Sequence, residues 1–258
     1  MKLRLDAYVD LASPLHCWEP RCKLVALTAL IFAFSFVREL RLLPAMLAVS
    51  TVLYVLSRLP LSFLVARLRL PGFFFLVVAL LLPFLSGTTP FFHLGPLVVK
   101  KEGCLHLLLI TVKFLSILTA GIVLFGTTRL LTLVKAMAAL GLPTILADMT
   151  VFSYRYLYEI GDNLRAMQTG TRLRGFRTRS FRGLGTLASL VGTLLVHSYE
   201  QADSVFKAAT LRGYGRSVSS RGDFQAHPQD LAGLLVGLLT AAAFVVAEMF
   251  LRQWGGKP

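Results

Sequence analysis

Acidic residues are scarce in this chain, and one long stretch has none at all. Only 13 of 258 residues are Asp or Glu, against 27 Lys or Arg. No acid falls between Asp162 and Glu200, where Arg165, Arg172, Arg174, Arg177, Arg179 and Arg182 all occur. Charge as a whole is thin. Charged residues make up 16% of the chain, where soluble domains carry about 25%. Hydrophobic residues make up 55%, and the mean hydropathy is +0.69. An ordinary soluble domain is thereby excluded and a bilayer protein indicated. The net charge of +14 is a poor argument for nucleic acid. The basic residues cluster between apolar segments, as in cytoplasmic loops beside anionic lipid.

Other absences narrow the chemistry. Cys17, Cys22 and Cys104 form an odd, unpatterned set that is no disulfide framework. His16, Cys17 and Cys22 match no standard metal-ligand spacing, with Trp18, Glu19, Pro20 and Arg21 between the cysteines. Neither a metal site nor a cofactor is therefore expected. There is no Gly-x-x-x-x-Gly-Lys loop to cradle a phosphate and no His-Glu-x-x-His pair. Glu159 and Asp162 stand one helical turn apart, but on a polar face among arginines, where a solvated or salt-bridged surface is the better reading. No enzyme is read here. The polar start, with Asp6 and Asp10 ahead of any long apolar run, shows no cleavable leader.

What is present is a succession of apolar segments. Residues 1–22 read as an N-terminal cytoplasmic arm. Four spans are expected within 23–128, at 24–37, 42–56, 73–85 and 105–125. The first is short unless Lys23 snorkels. Arg58, Arg67 and Arg69 mark a basic loop, and 87–103 an external one. Lys113 falls mid-span, where an ionisable group faces a partner or a cavity; packing against other helices is favoured over transport chemistry. Residues 230–258 hold a last span at 231–251, with Glu248 near enough its end to reach an interface.

Between these, residues 129–229 change character. A short amphipathic pattern at 129–140 closes at Gly141. Ile145, Met149, Phe152, Tyr156, Ile160, Leu164 and Met167 then recur at steps of three and four, one helical stripe. Such a helix, starting near Pro143 and running to Arg174, is roughly 48 Å long at about 1.5 Å per residue. A second stripe runs through Leu187, Leu190, Leu194, Ala202, Val205 and Ala209, and a polar linker through 217–229. The positive-inside rule makes the whole block cytoplasmic. The expected fold is thus all-α and integral to the membrane: about five transmembrane helices, plus a cytoplasmic domain of two long amphipathic helices ending near 174 and 212.

Both long helices close on the same phrase, Arg172-Leu-Arg-Gly-Phe176 and Thr210-Leu-Arg-Gly-Tyr214. Gly175 and Gly213 suit a left-handed helix end, and an arginine in the last turn suits the negative end of the dipole. One copy alone is an ordinary C-cap. Two copies in one chain point to docking tips for a two-fold partner, with Arg174 and Arg212 able to bond carboxylates or carbonyls in a fork. Leu173, Phe176, Leu211 and Tyr214 support them.

Ser13-Pro-Leu-His16 with Pro20-Arg21-Cys-Lys23-Leu24 resembles the N-terminal signature of the transmembrane T component of energy-coupling factor transporters. Ser153-Tyr-Arg-Tyr-Leu157, running through Arg165-Ala-Met167 to the first tip, resembles the cobalt-type, CbiQ-like branch. The resemblance implies an ABC-type importer in which two cytoplasmic ATPase subunits are coupled to a membrane substrate-binding S component, CbiM-like, with a small CbiN-like accessory subunit; it implies that the two long helices form a coupling domain, crossing one another, with one tip docked on each ATPase. It implies cobalt as cargo, with nickel or a vitamin as alternatives and a basic membrane scaffold as the remaining class. In the family each tip usually reads Ala-Arg-Gly. Leucine stands first here in both copies, so the carry-over rests on Arg174 with Gly175 and Arg212 with Gly213.

Overall fold

The computed structural model describes Leu15 and residues 18–85, 90–94, 97–175, 182–214 and 228–255. The chain divides into two units, residues 1–140 with 224–258, and residues 141–223.

The first unit is a helix bundle: α1 (Pro20–Phe36), a 3-10 turn (Leu40–Leu42), α2 (Leu43–Ser57), α3 (Leu61–Leu85), a hairpin of β1 (Pro90–Leu94) and β2 (Leu97–Lys100), α4 (Lys101–Thr127), α5 (Leu130–Ala139) and α8 (Pro228–Gly255). α1 is central and packs on α8, α4 and α5. Its inner face, Leu30, Ala33 and Phe34, with Val37 just past its end, joins Met46, Ala120, Ala241 and Phe244 in one core. The Phe34 and Phe244 rings meet edge to face at 5.3 Å, the favoured aromatic geometry. Ala26 lies where a Cβ on Gly237 would come within 2.7 Å of its own. Small residues let the α1 and α8 backbones approach, and in lipid such contact rather than hydrophobicity holds helices together.

Three helices are long and apolar enough to cross a bilayer among the described residues, at Leu40–Ser57, Leu105–Thr127 and Pro228–Gln253. The protein is an all-α membrane protein apart from the hairpin. α1 has 17 residues, roughly 26 Å at 1.5 Å each, and falls short of the ~30 Å hydrocarbon core.

Three expectations need correction here. Arg67 and Arg69 lie inside α3, not in a loop. Arginine is a good helix former, and the Arg67 guanidinium rests 5.4 Å over the Phe63 ring one turn back. The region taken as an external loop holds the antiparallel hairpin, with Phe92 opposite Val99 and His93 opposite Val98, and α4 already begins at Lys101. Aromatic and β-branched side chains favour that pairing. The end of the supposed arm belongs to the bundle: Leu15 is buried, and a Cβ on Gly233 would meet the Trp18 ring at 3.0 Å.

The second unit consists of α6 (Thr144–Leu173) and α7 (Arg182–Leu211), each of 30 residues. These match the two long stripes in position and length. Tyr214, beyond the end of α7, touches Asp148 and Phe152 near the start of α6. Further along, Gln201 touches Glu159. The helices therefore run antiparallel. The polar linker lies almost wholly outside the described residues.

Candidate functional site

Each tip is built by its glycine. Gly175 has φ +83 and Gly213 has φ +86, the left-handed region that costs glycine nothing. At the second tip the Gly213 N–H donates to Thr210 O and the Tyr214 N–H to Ala209 O, both at 3.0 Å. These are the two bonds of a Schellman cap. At the first tip the Gly175 N–H donates to Arg172 O at 3.0 Å, the equivalent inner bond. Phe176 lies outside the described residues. The left-handed glycine ends read from the sequence are both present.

The arginines stand immediately before these caps. Arg174 and Arg212 are exposed, and among the described residues neither is in an ion pair. Asp148, the acid at the second tip, accepts from the Tyr214 hydroxyl, and three acids further along the two helices have other partners. Asp162 pairs with Arg165 at 3.1 Å and Asp203 with Lys207 at 2.6 Å, while Glu159 accepts from Gln201 Nε2 at 2.6 Å. Each tip therefore presents a guanidinium with free donors on a rigid helix end. Leu173 and Leu211 beside them are 83% and 90% exposed. Because α6 and α7 run antiparallel, Arg212 lies near the start of α6 and Arg174 at its finish. A helix rise of about 1.5 Å per residue, from the Asp148–Phe152 region that Tyr214 touches to Arg174, puts the tips roughly 35 Å apart.

Tyr214 fixes the second tip to α6. Its hydroxyl donates to Asp148 Oδ2 at 3.2 Å, and its ring meets Phe152 edge to face at 6.3 Å. Desolvation at that contact, then the Asp148 carboxylate, push the phenol above its ordinary range.

These features meet in a known family. Residues 12–224 match the family described as CbiQ, cobalt transport protein. The chain belongs to the CbiQ family. It is a T component of the energy-coupling factor type, a multi-pass protein of the cell membrane. It is 25% identical to the energy-coupling factor transporter transmembrane protein EcfT of Limosilactobacillus fermentum, over 83% of this chain and 84% of that protein. It is 27% identical to the EcfT of Heliobacterium modesticaldum, over 82% of this chain and 84% of that protein.

The CbiQ match spans both tips but stops short of α8, which bears on a second polar arrangement that sequence reasoning missed. Charged side chains close both ends of the short helix α1. At its start, Asp230 Oδ1 accepts from the Glu19 N–H at 3.0 Å, and the Trp18 indole donates to Asp230 O at 3.1 Å. Lys23 Nζ donates to Leu15 O at 2.9 Å and Thr127 O at 3.2 Å. At its finish, Lys113 Nζ donates to Val37 O at 3.0 Å, and Glu248 Oε2 accepts from the Glu39 N–H at 3.2 Å. Two expectations fall. Lys23 does not snorkel: it is 1% exposed, and its ammonium satisfies carbonyls at the end of α4 and ahead of α1. Glu248 does not reach an interface but is buried. Lys113 acts as a packing group, as favoured above. Backbone ends held at bilayer depth need such partners. The only sequence signal was the presence of lone charges within apolar runs.

Among the described residues no group of three or more His, Cys, Asp or Glu side chains is placed to hold a metal. Cys22 is buried, its thiol 3.4 Å from Glu19 Oε2.

Proposed function

We propose that this T component couples two cytoplasmic ATPase subunits to a membrane substrate-binding subunit, and that Arg174 with Gly175 and Arg212 with Gly213 are the two docking tips. One observation carries the reading. The same capped, exposed arginine, outside any ion pair among the described residues, closes each of two 30-residue helices, at opposite ends of their antiparallel pair. A chain that displays one tip twice suits a partner present twice. The tips project from the arginine-rich block 129–229, read as cytoplasmic, with the C-terminus beyond α8 outside. ATP-driven closure of the partners moves the tips, and α6 and α7 carry the motion. The chain itself hydrolyses nothing. The family's description favours cobalt as cargo, taken from a CbiM-like subunit with a CbiN-like accessory; nickel and vitamins are the alternatives.

The test replaces the arginines and reads ATPase co-purification and uptake of radiolabelled cobalt. A charge-assisted hydrogen bond contributes about 1.5–3 kcal/mol, so Arg174→Ala or Arg212→Ala weakens docking roughly ten- to a hundred-fold, and the double change abolishes it. Arg→Lys rescues in part, because a point charge lacks the planar fork. Arg177→Ala and Arg179→Ala, past the glycine, cost little. Normal assembly and uptake in the double variant would overturn the docking reading. Equal uptake of nickel would overturn the cargo.

A further inference from the structure

In a membrane protein the barest apolar side chains belong against lipid. Here they do not. Among the described residues the two most exposed large hydrophobic side chains are Leu211, at 90%, and Leu173, at 83%. Each is the last residue of a 30-residue helix and immediately precedes the tip arginine. The exposure is thus repeated at equivalent positions of two separate helices.

Helix formation does not require leucine there. Alanine has the higher propensity, and neither side chain closes a cap, since the caps are made by backbone groups. Nor does a bilayer cover them. The last three turns of α6 carry Asp162, Arg165 and Arg172, and those of α7 carry Asp203 and Lys207, all of them exposed. A leucine kept bare in water on a charged helix end is useful only where something else covers it.

We infer that Leu173 and Leu211 are apolar anchors that enter a matching pocket on each ATPase subunit. The inference rests on the docking reading above and deepens it. Consecutive Cα atoms lie about 3.8 Å apart, so the anchor and the guanidinium address neighbouring parts of one groove. The partner is thereby specified: a groove with an apolar floor shaped for an isobutyl group and a rim of carboxylates or carbonyls, present in two copies roughly 35 Å apart. The floor supplies burial and the rim supplies orientation, the division found where apolar anchors and arginines dominate an interface.

The experiment uses the full chain in lipid nanodiscs and, as probe, the ATPase pair that co-purifies with the wild-type chain. Burying a leucine side chain is favourable by about 1.5–3 kcal/mol, and about 1.4 kcal/mol is tenfold, so Leu173→Ala and Leu211→Ala each weaken binding by roughly ten- to a hundred-fold, and the double variant by more than either. Leu→Met at both positions stays within a few-fold of wild type, because an unbranched thioether adapts to a pocket of that size. Calorimetry gives a less negative heat-capacity change for the alanine variants, the mark of lost apolar burial. If the leucine variants bind as wild type while Arg174→Ala with Arg212→Ala fails, the anchors are overturned and the docking tips stand. If both pairs bind as wild type, the docking reading itself falls.

Discussion

The two units treat charge and grease in opposite ways. In the membrane bundle four charged side chains turn inward, while arginines such as Arg41 and Arg58 stay exposed. Lys23, Glu19, Asp230 and Glu248 are all buried, and they hold the ends of α1. In the α6–α7 unit the apolar side chains turn outward. Met149, Val191, Leu195, Tyr199 and Phe206 are each more than half exposed, and Ala147 is the only buried residue of α6. Solvent accounts for the first arrangement. Lipid cannot hydrogen-bond a frayed backbone end, so the bundle recruits its few charges to do so. The second arrangement is the signature of a part whose partners are elsewhere, since monomeric surfaces rarely leave apolar patches bare.

That contrast can be broken by substitution. The largest effect is expected from Phe34→Ala, which empties the fully buried contact with Phe244 and costs about 3 kcal/mol of bundle stability. Thermal unfolding in detergent or steric-trap unfolding in bilayers measures it, and an unchanged midpoint would refute the core assignment. Next, Lys23→Ala orphans the carbonyls of Leu15 and Thr127 and lowers stability by about 2 kcal/mol. Relief of the buried charge offsets part of that loss, so Lys23→Met should fall less than Lys23→Ala. In the coupling unit Phe206→Ser, at a ring 65% exposed, should move the unfolding midpoint by no more than the ~0.5 kcal/mol typical of surface changes. A large shift there would mean that α7 is already partnered within the chain.

The smallest effect sharpens the difference between the two tips. Tyr214 titrates above its ordinary value of 10.0. Since the folded pKa is raised, the contribution of its contact with Asp148 is complete below that value and disappears as pH climbs through the raised one. Docking through the second tip is therefore insensitive to this group near neutrality. Asp148→Asn should bring the phenol's absorbance titration back towards 10.0. A titration unaltered by Asp148→Asn would deny the contact.

Much of this was legible in the residues. The stripe from Ile145 to Met167 fixed α6 through its period alone, and Gly175 and Gly213 marked where the long helices stop, because a left-handed end is a local backbone property. The resemblance carried by the tip motifs agreed with the family match. The misreadings came from taking charge as a marker of position. Arg67 and Arg69 suggested a loop, yet local propensity kept them in α3. Lys23 and Glu248 suggested reach towards an interface, yet both fold inward.

What the sequence by itself determined, then, is everything set within a few residues: the helical periods, the capping glycines, the paired arginines and the apolar content that demands a membrane. Tertiary structure alone decided which charges are structural and which are free. Lys23 and Arg174 are both cations in helices of one chain. One is sealed against carbonyls contributed from 8 and 104 residues away, and the other stands exposed at a helix end. Burial and partnership depend on what the fold brings alongside, over separations that no local pattern encodes.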